Sequence, residues 1–200
     1  MKSPFLILEE YLSPLQCENI LNDLYCIDCI DFSDTNKKYC YPISDDALFN
    51  HLEKIIKSIY PKINEMYGVN CAKIEAIEYQ LMRENTEATD FQAYNSVYLN
   101  GQWVRNEFND FVITIMLTSH VQSTDDGLDA EFEHYGAGIQ YPQHNVTFYS
   151  DRGGILIHPS DPHFIHNISA NHLGTCALIN VAVSCDNLYL YDPVSFNKEQ

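Results

Sequence analysis

The stretch "YPQHNVTFYSDRGGILIHPSDPHFIHNISANHLGTCALINVAV", residues 141–183, decides the fold. Apolar and polar residues alternate in its short runs at a period of two, and Gly, Asn, Asp and Pro separate the runs. This pattern is typical of short strands joined by turns. It begins earlier, at residue 73, and includes the runs "KIEAIEYQLM" (73–82) and "DFVITIMLTS" (110–119). So many short strands predict a sandwich or a barrel.

The N-terminal third carries a different, helical pattern. A short strand, "FLIL", precedes a helix for which Ser13 is placed as the cap and Pro14 lies in the first turn. A second helix opens at Asp45 and Asp46, repeats apolar residues at three- and four-residue steps, and ends near Gly68. The apolar stripes of both helices are expected to pack on the β core.

Length and composition predict a single domain. The chain has 200 residues, of which 46% are hydrophobic, and its composition does not change along its length. We expect a helical N-terminal part at 1–72, a β core at 73–184 and a C-terminal arm at 185–200. The arm is expected to dock on a neighbouring molecule or to lie as a strap on its own surface.

The charge of the chain argues against two classes of partner. With 28 acidic and 11 basic residues the net charge is −17, which repels both a nucleic-acid backbone and an anionic membrane surface. The apolar run at the start of the sequence is short and is followed directly by acidic residues, which is not typical of a signal peptide. No apolar run is long enough to span a membrane. We therefore expect a soluble intracellular protein without nucleic-acid or membrane partners.

The seven cysteines are expected to be reduced thiols, because an odd number cannot all pair within one molecule. A zinc site would have to gather Cys17, Cys26, Cys29 and Cys40. The nine residues from Cys17 to Cys26 are predicted to be largely helical. They cannot form the compact loop in which the ligands of a zinc site converge, so zinc is not expected there.

Three histidines follow one another within the stretch 158–166. In the segment "HFIHNIS" (163–169), alternation places Phe164, His166 and Ile168 on one face and His163 on the other. His166 is therefore the candidate metal ligand. Pro159 and Pro162 predict an exposed loop, so the neighbouring histidines are expected to make ordinary hydrogen bonds. The alternative is a different metal site, formed by His158, Asp161, His163 and His166 with His120, His134 or His144.

The order of these elements resembles the iron(II)- and 2-oxoglutarate-dependent dioxygenases, in particular the prolyl-4-hydroxylase-like branch. The resemblance is carried by "FLILEEYLSPLQCENIL" (5–21), by "GLDAEF" (127–132), which is similar to a "GGxxxF" stretch, and by 141–183. It implies an α+β fold, a double-stranded β-helix (a jelly-roll or cupin-like barrel) with the N-terminal helices packed on it.

In that family a His-x-Asp pair and a distal histidine hold iron, and a basic residue about ten positions later binds the far carboxylate of 2-oxoglutarate. The resemblance places the distal histidine at His166, the pair at Tyr94 and Ser96, and the cation at Cys176. Two metal ligands and the cation are thus replaced. We expect no catalytic residues and neither Fe(II) nor 2-oxoglutarate. Arg152, the nearest cation in sequence, is expected to be solvated in a turn.

Three functions remain to be compared. The first is a non-catalytic structural or interaction module with protein partners, in a larger assembly or a homo-oligomer. Phage genomes often carry proteins resembling this branch beside virion genes, so the resemblance suggests a virion component of the neck or tail, found in the virion or the host cytoplasm. The second is an active Fe(II)/2-oxoglutarate dioxygenase with an unusual site. The third is a cupin-like binder of a sugar or small acid, its mouth lined by Tyr94, Tyr98, Trp103, His144 and His166.

Overall fold

A computed structural model describes residues 3–26, 38–43, 46–124 and 127–196. Its centre is a six-stranded sheet, the main sheet, in which all neighbouring strands are antiparallel. In spatial order the strands are β1 (Leu6–Leu8), β11 (Ile155–Pro159), β6 (Phe111–Met116), β14 (Cys176–Cys185), β3 (Cys71–Met82) and β2 (Lys38–Pro42).

Smaller sheets complete the β structure. One contains β10 (Val146–Phe148), β9 (Ile139–Tyr141) and β12 (Asn167–Ile168), and another contains β13 (Asn171–Gly174), β8 (Glu133–Gly136) and β7 (Ser119–His120). The strands β4 (Ser96–Leu99) and β5 (Gln102–Arg105) form a separate hairpin. The chain is thus a double-stranded β-helix with helices on one side, as the family resemblance implied.

Both predicted helices are present. The first, α1 (Pro14–Tyr25), is capped by Ser13, whose hydroxyl accepts from the backbone N–H of Gln16 while the Gln16 side chain accepts from the backbone N–H of Ser13. The second, α2 (Asp46–Tyr67), buries the apolar stripe Leu48, Leu52, Ile56, Ile59 and Ile63. Neither these nor any other described helix combines the length and apolar character needed to cross a membrane.

The main sheet separates two apolar cores, because successive side chains of a strand point to opposite faces. On the outer face Ile113, Ile115 and Ile179 pack against α1 and α2. On the inner face Met116 and Leu178 belong to a second cluster, shared with residues of the smaller sheets. This second cluster lies in the interior of the β-helix.

The N-terminal part is not purely helical. Its strands β1 and β2 form the two edges of the main sheet, so residues 1–72 and the β core share one sheet. The described part of the C-terminal arm lies on its own chain. The buried carboxylate of Asp110 accepts from the backbone N–H groups of Cys185 and Tyr189, and the ring of Tyr189 packs 4.9 Å from that of Phe111. The described part of the arm includes the short helix α3 (Pro193–Phe196).

Candidate functional site

His166 is buried inside the β-helix. Its backbone is paired with Gln92 in an isolated bridge, and its Nδ1 donates a hydrogen bond of 3.0 Å to the carbonyl oxygen of Phe164. The segment is not the regular strand that was predicted. Pro162 starts a single turn of 3-10 helix (Pro162–Phe164), which Asp161 caps. Phe164, His166 and Ile168 nevertheless all point inward and are buried.

Tyr94 reaches His166. It lies in a tight turn closed by a bridge between Ala93 and Ser96, and its ring stacks on that of His166 at 5.3 Å between centroids and 22° between planes. Ser96 is buried at the start of β4, and its hydroxyl donates to Oδ1 of Asn95 at 2.7 Å. The turn replaces the single strand on which two residues at i and i+2 would share a face.

Cys176 also points into the interior. It begins β14 opposite Met82, is 1% exposed and belongs to the inner apolar cluster. Burial raises the pKa of its thiol to about 12, so the group is neutral near pH 7. A neutral thiol among apolar side chains cannot balance the charge of a buried carboxylate.

A chain of neutral polar groups crosses the inner face of the main sheet. The Thr114 hydroxyl donates to Oδ1 of Asn180 at 2.9 Å, and Nδ2 of Asn180 donates to Oε1 of Gln80 at 3.1 Å. All three residues are buried. These groups join β6, β14 and β3 and add no charge to the interior.

His158 also faces the interior, although the sequence named it only as part of the alternative metal site. The prolines around it predicted an exposed loop, which is wrong: His158 lies in β11 and is 1% exposed. Its Nδ1 donates to the carbonyl oxygen of Pro159 at 2.6 Å, and Nε2 has no hydrogen-bond partner among the described residues. Its ring centroid lies 5.5 Å from that of His166. Burial lowers the pKa of His158 to about 3, so the ring is neutral.

The other histidines do not join this pair into a metal site. His163 is exposed and bonds Asp161, and His144 bonds the backbone oxygen of His163. His120 and His134 line or support another cleft. Within the described parts of the chain no three His, Cys, Asp or Glu side chains form a group that could hold a metal ion.

Two other sequence predictions concern residues outside the interior. Arg152 is not solvated: its side chain is 17% exposed, lies 4.1 Å over the ring of Phe132 and donates to the backbone oxygen of Pro14. Of the four cysteines that a zinc site would have to gather, Cys17 is buried and Cys26 is exposed. Cys29 and the side chain of Cys40 lie outside the described residues, so the expectation that these cysteines bind no zinc stays a prediction.

A cleft of about 480 Å³ opens beside Tyr94 and Ser96, and we call it the mouth cleft. Glu75, Glu78 and Glu107 line it, and the lining that the structure describes includes no Lys or Arg. Its charge therefore disfavours a dicarboxylate such as 2-oxoglutarate. Tyr98, Trp103, His144 and His166 are not part of its lining, so the five residues expected around a sugar-binding mouth are not gathered there.

Comparison with known proteins relates this geometry to solved structures. No family model matches the chain, and no curated protein matches it in sequence. Many solved structures match it in fold, among them three prolyl hydroxylases. The viral collagen prolyl hydroxylase of Paramecium Bursaria Chlorella virus-1, in its 2OG complex, has a TM-score of 0.65 and 8% identity, over 90% of this chain and 96% of that one. A Pseudomonas putida prolyl-4-hydroxylase has a TM-score of 0.64 and 6% identity, over 92% and 94%. A prolyl hydroxylase from Trichoplax adhaerens has a TM-score of 0.63 and 12% identity, over 90% and 83%.

The chain has the prolyl-hydroxylase fold. At these identities the likeness concerns the fold alone, so the side chains must decide whether iron and 2-oxoglutarate fit. Iron in such a site takes two imidazoles and a carboxylate. The interior offers the imidazoles of His158 and His166, with Tyr94 and Ser96 where the family's other ligands are expected, and Cys176 where its cation is expected. The described residues therefore do not fit Fe(II) with 2-oxoglutarate.

Proposed function

We propose that the chain is a non-catalytic protein of the dioxygenase fold that acts as a structural or interaction module. The observation that carries the proposal is the buried, apolar environment of Cys176. Met82, Leu178 and Phe164 occupy the apolar cluster to which the thiol belongs. A cosubstrate with two carboxylates would have to displace buried apolar side chains and gain no cation in return.

The interaction surface of this proposal is the β4–β5 hairpin. Val97, Tyr98, Leu99 and Val104 are exposed on it, and Phe108, just beyond β5, is 85% exposed. A two-stranded hairpin is only marginally stable alone, and an exposed apolar patch is typical of a surface that binds another protein. A second protein covering the hairpin would remove this apolar surface from water.

For the assembly that the chain joins, we propose a phage virion, at the neck or tail. The support is the resemblance to proteins that phages carry beside virion genes, together with the acidic charge of −17 and the apolar hairpin. Mass spectrometry of purified particles from the encoding phage should find the chain in a fixed ratio to the other virion proteins. Its presence in the lysate but not in the particle would refute this assignment.

Metal content and turnover test the non-catalytic part. The full chain is incubated anaerobically with Fe(II) and 2-oxoglutarate, desalted, and analysed for iron and for succinate formed under oxygen. A working prolyl hydroxylase treated in parallel is the control. We expect iron well below one per chain and no succinate above the protein-free background. Stoichiometric iron with succinate formation, both lost in His166→Ala, would instead support an active oxygenase.

Light scattering of the purified chain tests the hairpin. We expect the chain to self-associate, or to bind a virion protein when one is added. The double variant Tyr98→Ser/Val104→Ser should weaken that association, because both side chains are exposed and contribute apolar surface. Phe91→Ser, at an exposed ring outside the hairpin, is the matched control. Equal behaviour of the hairpin variant and the wild type would show that the hairpin is not the interface.

A further inference from the structure

A second cleft, of about 880 Å³, lies away from the mouth cleft and shares no lining residue with it. Four rings follow one another along it, and we call it the ring cleft. The centroid of Tyr149 is 4.2 Å from that of His120, His120 is 6.2 Å from Tyr135, and Tyr135 is 6.0 Å from His172. Tyr149 is 56% exposed and Tyr135 is 39% exposed. The rings thus offer a continuous, accessible aromatic surface.

The surrounding fold holds these rings in place. His120 lies in β7, which pairs in parallel with β8, and its backbone N–H donates to the oxygen of Ser150 at 2.8 Å. Below it His134 is fully buried, and its ring nitrogens lie 3.3 Å from the Thr118 hydroxyl and 3.1 Å from the Ser150 hydroxyl. The cleft is therefore largely formed before any ligand arrives, which lowers the entropic cost of binding.

Glycine provides the space for one of the rings. A Cβ added to Gly138 would lie 2.8 Å from a ring carbon of Tyr149, closer than ordinary contact allows. The side chain of Tyr149 therefore rests directly on the backbone of residue 138. This packing supports the ring at that point and leaves more than half of the residue accessible.

The remaining lining limits the chemistry of the ligand. Among the described residues that line the ring cleft, no aliphatic side chain is larger than that of Ala170, and none is Lys or Arg. An apolar peptide anchor would lack aliphatic contacts, and a phosphate or carboxylate would lack a cation. Gln122, Asp151 and Ser169 add an amide, a carboxylate and a hydroxyl, which bind hydroxyl groups by hydrogen bonds.

From this combination we infer that the ring cleft binds a neutral saccharide. A pyranose has C–H groups on one face, which pack on aromatic rings, and hydroxyls around its edge, which need hydrogen-bonding partners. Tyr149, Tyr135 and His120 provide the rings, while Gln122 and Asp151 provide the hydrogen bonds. The inference goes beyond the proposed function and is independent of it, because neither the interior nor the hairpin takes part.

Saccharide binding is tested on the full chain by an array of neutral, sialylated and sulfated oligosaccharides. Titration calorimetry with the best neutral ligand then compares four proteins: wild type, Tyr149→Ala, Tyr149→Phe and Phe91→Ala. The Tyr149→Phe variant keeps the ring, and Phe91 is an exposed aromatic residue outside both the ring cleft and the hairpin. Circular dichroism melting confirms that each variant is folded, and His120→Ala replaces Tyr149→Ala if that variant is not.

We expect at least one neutral oligosaccharide to bind, with affinity about tenfold weaker when the Tyr149 ring is removed. Tyr149→Phe and Phe91→Ala should bind within about twofold of wild type, because the ring and the cleft are both kept. The inference is overturned by an array without a neutral ligand, by a preference for anionic glycans, or by equal affinity of Tyr149→Ala and wild type.

Discussion

The buried histidine His158 makes the stability of the protein depend on pH. Burial lowers its pKa to about 3 in the folded state, whereas an unfolded histidine titrates near 6.5. Below about pH 6.5 the unfolded chain takes up a proton that the folded chain excludes, so the free energy of unfolding decreases as the pH falls. The contribution is fully present above the unfolded pKa and is lost progressively toward the folded pKa.

The magnitude follows from the slope of one proton, about 1.4 kcal/mol per pH unit. Between about pH 8 and pH 5 the histidine titrates over roughly 1.5 units, so His158 alone should remove about 2 kcal/mol of stability. Burial also lowers the pKa of His134, to about 4, and this adds a second loss of about the same size. For a domain of this size the sum is a large fraction of its stability.

Urea unfolding at several pH values between about 8 and 5, followed by circular dichroism, measures this dependence. His158→Phe keeps a ring in the stack with Phe164 and removes the ionisable group. Its stability should fall by about 2 kcal/mol less than that of wild type over this range. His51→Gln, on the exposed face of α2, is the matched control and should follow the wild-type curve. If His158→Phe also followed that curve, His158 would not be a buried neutral group and the reasoning would be refuted.

Three further substitutions test the fold. Ile179→Asp puts an unpaired charge between the main sheet and the helices, which should cost at least about 4 kcal/mol and prevent folding; cooperative thermal melting of this variant would contradict it. Asp110→Asn weakens the bonds that hold the C-terminal arm, so the amide of Tyr189 should exchange hydrogen about tenfold faster, and unchanged exchange would show that the arm is held elsewhere. Gly153→Ala should lower the free energy of unfolding in urea by at least about 2 kcal/mol, because φ at Gly153 is +86° and a Cβ there would overlap a backbone oxygen. Gly68→Ala is the control: φ is +67° but the space around it is open, so it should lower the free energy of unfolding by less. Equal losses in the two variants would contradict the overlap.

Local sequence was sufficient for the helices and for the class of fold. The capping box of Ser13 and the apolar stripe of α2 act within a few residues of chain, so the sequence contains the whole interaction. The resemblance also placed Tyr94 and His166 in one site, and the structure stacks their rings. The resemblance could not show that Tyr94 and Ser96 lie in a tight turn, because the sequences of a tight turn and of a strand end are both short and polar.

What the sequence by itself determined is the alternation of the strands and the two amphipathic helices. The family resemblance adds the expectation that Tyr94, Ser96 and Cys176 stand at the positions of two metal ligands and a cation. What only the tertiary structure decided is which groups meet: His158 with His166 inside, and Tyr149 with His120 outside. These contacts join separate strands and loops, and their register depends on packing across the whole sheet. Periodicity predicts which residues share a face, but not what covers that face. The cover decides that His158 is buried and neutral and that Tyr149 is exposed.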